Sequence, residues 1–323
     1  MLRLVSYRST LTDTDIQRNP TDGEVVRILS IGGSGFLSGT VARAAVSQGH
    51  DIEVVTRGRR PLPVGVTGIT ADRKDRATFA TAIAHSPGEW DLVVDCIGFN
   101  PEDAQQDVDC FKDRANQIVF VSTDFVFDPA HRTYPQGEET NHFAAEGYGG
   151  KKRQCEQVLE NADLGSTEWT VVRPCHIYGP GSKLGCLPLH GRDDEIIDRI
   201  RKGETLKLVG GGYFLQQPVL VRDLAELLIS CAGNKNTFGQ IFCAAGPDII
   251  ESRTYYDEIA RVLGVAPAPI EELDIQAHLA ENPGAAPFTC HRIYSLDRLQ
   301  ASGAKTPATP FTVGIKEHVE SLV

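Results

Sequence analysis

Tyr148 and Lys152 stand four residues apart in the run Tyr148-Gly149-Gly150-Lys151-Lys152-Arg153. On a helix this spacing puts both side chains on one face. An ammonium beside a phenol lowers the phenol's pKa from its reference value of about 10. A phenol that exchanges its proton near neutrality suits redox chemistry at an alcohol or ketone, because a proton must move as the hydride moves. Thr123, in Val121-Ser122-Thr123-Asp124-Phe125-Val126-Phe127-Asp128, offers a hydroxyl to the reacting oxygen. Upstream lies Gly32-Gly33-Ser34-Gly35-Phe36-Leu37-Ser38-Gly39. Backbone amides at a helix N-terminus favour a pyrophosphate, and glycine lets the backbone approach it. Gly32 and Gly35 are therefore expected to hold a dinucleotide, with Ser38 standing where a third glycine is usual.

These groups need a scaffold, and the patterning supplies one. Val25–Ile31 is a β-branched run that ends in the glycines, and a helix is expected over Phe36–Gln48. Further strands are expected at Ile52–Thr56, Gly68–Ala71, Asp91–Ile97, Gln117–Val121 and Trp169–Arg173. Helices are expected at Asp75–Ala84, Pro101–Arg114 and Tyr148–Ala162. Near-continuous apolar strands separated by helices imply a parallel sheet covered on both faces, a doubly wound α/β domain. The strands' C-terminal ends then face a ligand crevice, which is where Ser122 and Thr123 fall.

After Arg173 the regularity weakens. A helix is expected at Asp193–Lys202, and short strands at Val219–Val221 and Gln240–Cys243 flank a helix over Arg222–Ala232. The Pro- and Ala-rich stretch Val265–Pro287 reads as loops, and a last helix covers Thr312–Ser321. The expected organisation is an N-terminal extension (1–24), a dinucleotide domain (25–180) and a smaller C-terminal α/β substrate lobe (181–323), with about 216–245 packing back on the first domain.

Composition narrows the function. Lys and Arg number 32 against 43 Asp and Glu, a net charge of -11, which argues against a nucleic-acid partner. The eight cysteines form no CxxC pair and show no zinc spacing, so they read as reduced thiols in a cytoplasmic protein, with no metal. No apolar run approaches the ~18 residues of a membrane span.

The end of the second strand bears on the cofactor. An acidic residue there would hold the ribose 2′-hydroxyl of NAD. This chain has Thr56-Arg57-Gly58-Arg59-Arg60 instead. Arg57 and Arg59 suit a 2′-phosphate, so the reading favours NADP over NAD; the other reading is a solvated loop in which Thr56 meets NAD through water. Asp72, after the third strand, either reaches the adenine edge or is a plain turn carboxylate.

Taken with Arg173-Pro174-Cys175-His176-Ile177-Tyr178-Gly179-Pro180 and Pro218-Val219-Leu220-Val221-Arg222-Asp223-Leu224-Ala225, these motifs resemble the extended short-chain dehydrogenase/reductases, the NAD(P)-dependent sugar epimerase/dehydratase family. The resemblance runs from about Val25 to the C-terminus. Ser122–Asp128 is similar to the matching stretch of dTDP-4-dehydrorhamnose reductases, and the glycine loop and Thr56-Arg57-Gly58 are similar to the chloroplast stem-loop-binding branch. The resemblance implies a Rossmann-type domain and a catalytic set of Thr123, Tyr148 and Lys152, with Lys152 also on the nicotinamide ribose. It adds Phe36, Leu37, Cys96, Ser122, Pro174 and His176 to the cofactor site, His176 either contacting nicotinamide or substrate or standing as a satisfied histidine of the pocket wall. Asp124, Arg192 and Arg292 become substrate-binding candidates, Arg292 either toward a diphosphate or in a surface or interlobe salt bridge. Sugar dehydratases carry Asp-Glu after the Thr; here Phe125 replaces the Glu, so dehydration is disfavoured. The implied function is an oxidoreductase or epimerase acting on a sugar or sugar nucleotide, as a homodimer paired through the helices near Pro101–Arg114 and Tyr148–Ala162. The alternatives are a keto-sugar reductase using NADPH without epimerisation and a non-catalytic nucleotide- or RNA-binding member of the same fold.

Overall fold

The computed structural model describes residues 25–86 and 89–323, so the expected extension over residues 1–24 lies outside the described residues. Strands β1 (Arg27–Ile31), β2 (Asp51–Thr56), β3 (Thr67–Thr70), β4 (Leu92–Asp95), β5 (Gln117–Val121) and β6 (Glu168–Pro174) alternate with helices α1 (Phe36–Ser47), α2 (Arg76–His85), α3 (Pro101–Phe111) and α4 (Gly147–Asn161). Successive strand residues point to opposite faces, and the cores show it. Ile28, Leu92, Val94, Val119 and Val121 pack with Val41, Ala42 and Ala45 of α1. Their neighbours Leu29, Val93, Ile118 and Phe120 pack with Phe79 and Ile83 of α2, Phe111 of α3 and Leu159 of α4.

The second half continues as β7 (Ile177–Tyr178), α5 (Ile196–Arg201), β8 (Leu206–Val209), β9 (Leu215–Gln216), β10 (Val219–Leu220), α6 (Val221–Ser230), β11 (Gln240–Ala244), β12 (Ile250–Glu251), α7 (Ser252–Leu263), β13 (Ile270–Leu273), α8 (Ile275–Glu281), α9 (Asp297–Ser302) and α10 (Phe311–Glu320). The main sheet has seven strands in the order β11-β6-β5-β4-β1-β2-β3, all parallel. Chain order reverses between β1 and β4, so the crevice opens there. β11 joins the edge beside β6, with Ile241 opposite Val171. The apolar face of α6 (Leu224, Leu227, Leu228) shares a core with α1.

The smaller lobe is stitched from paired short strands, β7 with β10, β8 with β13 and β9 with β12. Its core gathers Tyr178, Leu206, Leu208, Tyr255, Ile259, Phe311 and Ile315. Two differences from the sequence reading lie here. Val265–Pro287 is not all loop: β13 pairs with β8, and Asp274 caps α8 by accepting from the Ala277 amide at 2.8 Å. The helix α7, which the sequence reading passed over, supplies Tyr255 and Ile259 to this core. A return segment, His291–Ser295, joins the lobes: the Arg292 amide donates to Leu215 O at 2.7 Å, and Ile293 O accepts from the Gln136 amide at 2.8 Å.

Candidate active site

Two close approaches set the crevice. A Cβ on Gly33 would come 2.4 Å from the Val54 side chain, so only glycine lets the loop lie against β2. A Cβ on Gly149 would come 1.9 Å from Phe125 O, so the first turn of α4 packs directly on the loop after β5. The sequence reading gave Gly149 no role; its signal was a pair of glycines inside a helix, where each is disfavoured by ~1 kcal/mol.

The N-terminus of α1 fits a pyrophosphate. The first turn carries no acidic side chain, and a Cβ on Gly35 would meet only the Ser38 hydroxyl, leaving an open cradle. Ser38, in the third glycine's place, is buried and accepts from the Gly35 amide at 3.2 Å. Gly32 and Gly35 therefore stand where a dinucleotide would meet the loop. Thr56, Arg57, Arg59 and Asp72 sit beyond, at the ends of β2 and β3. The Thr56 hydroxyl accepts from the Gly58 amide, and Asp72 accepts from the Lys74 amide in a local turn. Arg57 and Arg59 are exposed without an ion-pair partner among the described residues. Their neighbour Arg60 reaches back to donate to Ser34 O at 3.2 Å.

A cavity of about 640 Å³ opens between the lobes at the strand ends. It brings together Thr123, Tyr148 and Lys152 with Phe36, Leu37, Cys96, Ser122 and Pro174, and, from the far wall, His176, Arg192 and Arg292. Asp124 also borders it. Phe99, Phe125, Leu189 and Phe288 make the rest of the wall largely apolar. A larger hollow, about 860 Å³, lies on the outer face of α3 and α4 away from these groups.

Thr123 leaves β5 in extended backbone and caps the short turn Asp124–Val126, its hydroxyl accepting from the Phe125 amide at 3.2 Å. Ser122 points elsewhere: its hydroxyl donates to Glu156 at 2.5 Å, and Glu156 is gripped by Arg173 of β6 at 2.7 Å. Lys152 is almost wholly buried, and its ammonium donates to Gly98 O at 2.6 Å and to Val121 O. Burial lowers its pKa. Tyr148 remains 48% exposed at the cavity mouth, with its ring edge-on to Phe125.

The sequence reading expected Lys152 to depress the Tyr148 pKa, and the structure corrects this. The phenol is pushed up, first by desolvation at the mouth and then by the Asp124 carboxylate; Thr123 and Arg192 offset part of the rise. The ammonium of Lys152 is turned to two backbone carbonyls.

Asp124 is corrected as well. Its carboxylate is buried, and Oδ2 accepts from Arg292 Nε at 2.7 Å and from the Tyr294 hydroxyl at 2.5 Å. Arg132 closes the group, donating to the Tyr294 hydroxyl at 2.6 Å and to Asp124 O at 2.9 Å. Burial alone would raise the Asp124 pKa, but Arg292 and Arg132 outweigh it and hold the carboxyl below its ordinary value. It is a carboxylate clamped through Oδ2, with Oδ1 turned to the Thr123 hydroxyl at 3.5 Å. Arg132 and Tyr294 went unremarked in the sequence, where nothing local marks partners separated by 162 residues.

Arg292 uses only Nε on Asp124; its two Nη nitrogens have no partner among the described residues, and the side chain borders the cavity. His176 has no side-chain hydrogen bond among them and lies edge-on to Tyr255. Burial, then the charges of Arg292 and Arg192, push its pKa down to about 3, so it is a neutral imidazole. The cavity therefore offers unpaired cationic and neutral donors, and its one lining carboxylate among the described residues, Asp124, is ion-paired through Oδ2. No group of three or more His, Cys, Asp or Glu among the described residues is placed to hold a metal, and no helix among them is long and apolar enough to cross a membrane.

Fold and site together define an extended short-chain dehydrogenase/reductase. Residues 28–242 match the NAD dependent epimerase/dehydratase family, and the chain belongs to it. Among related sequences is the chloroplast stem-loop binding protein of 41 kDa b from Arabidopsis thaliana, 24% identical over 255 residues that cover 74% of this chain. The chain spans 63% of that relative's length. Among solved structures, the UDP-glucose 4-epimerase of Thermotoga maritima with UDP-glucose superposes with a TM-score of 0.75 at 16% identity, covering 91% of this chain and 97% of that one. The dTDP-glucose 4,6-dehydratase of Bacillus anthracis in complex with NAD gives 0.72 at 16% identity, covering 92% and 96%.

Proposed function

We propose that this chain is an NAD(P)-dependent oxidoreductase or epimerase of a sugar or sugar nucleotide, with Tyr148 as the proton donor and acceptor. The observation that carries this reading is the single cavity joining Thr123, Tyr148 and Lys152 at the strand ends beside the glycine loop. A bound nicotinamide dinucleotide would supply or take the hydride. Gly32, Gly35, Phe36 and Leu37 would hold its pyrophosphate end, and Cys96, Pro174 and Lys152 its ribose and ring. Lys152 has three N–H donors and commits two to carbonyls, which leaves one for a ribose hydroxyl. Thr123 orients the reacting oxygen, and Tyr148 moves the proton at its hydroxyl. In the resting state the phenol is protonated, its pKa raised, so it holds the proton that a carbonyl oxygen would take up. The clamped state of Asp124 and the Phe125 beside it supports a chemistry without water elimination, since neither residue can serve as the acid or base that step needs.

Arg292 and Arg192 are proposed to meet an anionic group of the substrate, as a nucleotide diphosphate would present. The exposed, unpaired Arg57 and Arg59, with no carboxylate at the end of β2, support NADP over NAD. Dimerisation through α3 and α4 would pair a surface that mixes Val108 and Val158 with Gln105, Asp109, Gln154 and Gln157. A second reading, binding of RNA without catalysis, draws on the name of the Arabidopsis relative; the net charge of -11 weighs against it.

The test is direct. Cofactor affinity is measured by nucleotide fluorescence for wild type and Tyr148→Phe, and turnover is then followed with keto-sugar nucleotides. The variant should keep the cofactor and lose turnover by ~10²–10⁴-fold. A wild-type protein that binds no pyridine nucleotide, or a variant as active as wild type, would refute the proposal.

A further inference from the structure

The clamped carboxylate sits between two parts of the molecule that the proposed chemistry treats separately. On one side, Asp124 follows Thr123 directly, and Asp124 Oδ1 lies 3.5 Å from the Thr123 hydroxyl. On the other, Oδ2 receives Arg292 and Tyr294 from the return segment that joins the lobes. The Arg292 guanidinium also lies 5.0 Å from the centre of the Phe125 ring, which in turn is edge-on to Tyr148. One carboxylate thus touches the substrate-side arginine through one oxygen and the catalytic hydroxyl through the other. The carboxylate itself is buried, which strengthens its pairing with Arg292 and Tyr294.

Resting on the oxidoreductase reading, we propose that Asp124 is a positioning residue that couples Arg292 of the second lobe to the Thr123 hydroxyl and the Tyr148 phenol. Held from behind by Arg292, Tyr294 and Arg132, the carboxylate fixes the turn Asp124–Val126 and with it the direction of the Thr123 hydroxyl. Its negative charge also acts on the phenol across the cavity wall. A substrate anion that engages the unpaired Nη nitrogens of Arg292 would therefore act on the same carboxylate that orients the proton-transfer pair. The second lobe would report substrate binding to the catalytic residues without a separate hinge.

The charged and titratable groups facing the phenol are known from each neighbouring element. Asp124 raises it, Thr123 and Arg192 lower it, and Cys155 of α4 raises it, beyond the effect of burial. Lys152, on the same helix, is turned to Gly98 O and Val121 O. Around Asp124 stand Arg292, Arg132 and Tyr294. Removing the Asp124 charge leaves Arg292 and Arg132 uncompensated, so both changes lower the phenol's pKa. Removing the Arg292 charge instead leaves Asp124 less neutralised and raises it. Opposite signs from two partners of one ion pair are not expected from general damage to the fold.

The experiment needs neither cofactor nor substrate. Full-length protein carrying ¹³Cζ-tyrosine is titrated by NMR, and the Tyr148 signal is assigned as the one missing from Tyr148→Phe. In wild type its midpoint should lie above the reference of about 10. Asp124→Asn should move it down by on the order of one pH unit, and Arg292→Gln should move it up. An unmoved or raised midpoint in folded Asp124→Asn overturns the proposal. Should that variant not fold, an unmoved or lowered midpoint in Arg292→Gln overturns it alone. A failure to bind pyridine nucleotides would refute the oxidoreductase reading while leaving these midpoints measurable, so the two claims fall separately.

Discussion

Replacing Arg73 by alanine should cost the fold about 3–5 kcal/mol at neutral pH, the usual loss when one partner of a buried ionic group is removed. Arg73 follows β3 and is buried. Its guanidinium donates to Asp95 at the end of β4 at 2.7 Å, to Asp107 of α3 at 2.9 Å and to Asp103 O at 2.8 Å. One cation thus pins two strand ends and a helix behind the crevice. Asp95 and Asp107 have no side-chain exposure, so without Arg73 they face each other with no compensating charge. The two already behave as a pair. Burial works to raise Asp95, but Arg73 outweighs it and keeps the carboxyl low; burial and the Asp95 charge push Asp107 well up. The signs follow by linkage. The Asp95 contribution is present above the ordinary carboxyl pKa of about 3.9 and is lost as pH falls through its lowered folded value. Asp107 contributes fully below about 3.9 and loses its contribution as pH rises through its raised folded value. In Arg73→Ala both carboxyls are raised, so the folded variant binds more protons than its unfolded chain and gains stability as pH falls from neutrality. Urea unfolding of both proteins near about pH 7.5 and about pH 5.5 gives the comparison, with the midpoint falling and the slope unchanged. The gap between wild type and variant should be widest at the higher pH. A loss under about 1 kcal/mol there, or a gap that widens on acidification, would refute the reasoning.

Gly149→Ala drives a methyl into Phe125 O at 1.9 Å; a thermal melt should show a loss of ~1–3 kcal/mol, whereas an unchanged melting temperature would mean the first turn of α4 is not in contact there. His176, pushed down to about 3, should stay neutral across the mildly acidic range; histidine NMR that finds it titrating near about 6.5 would contradict its burial beside two arginines. Its depressed value means the stability it contributes is present above about 6.5 and lost as pH falls toward about 3. Replacing Arg57 and Arg59 together by alanine should weaken NADPH by roughly tenfold or more while sparing NADH; equal affinities before and after would assign the 2′-phosphate elsewhere.

The dinucleotide domain was legible because its central strands β1, β4, β5 and β6 are apolar runs buried on both faces, so a short stretch such as Gln117–Val121 declares itself without distant partners. The catalytic set was legible for a related reason: Thr123 ends a strand, and Tyr148 and Lys152 share one helical turn, so local spacing fixes their geometry. The second lobe offers no such signal. Its sheets are pairs of two to four residues, and whether Ile270–Leu273 is strand or loop depends on Leu206–Val209 being beside it. The electrostatics are less legible still. Sequence places Lys152 four residues from Tyr148 and nothing near it with opposite effect, so the phenol was expected to be low. Which charge prevails depends on what each charge is already doing. Lys152 is spent on Gly98 O and Val121 O, and the carboxylate that acts on the phenol is held in place by arginines from positions 132 and 292. A pKa is set by such distances, and the residues that fix them lie up to 170 positions apart. In the resting protein desolvation raises the tyrosine first and the Asp124 carboxylate adds to the rise, so neutralising Asp124 or placing a further cation in the cavity should bring it down.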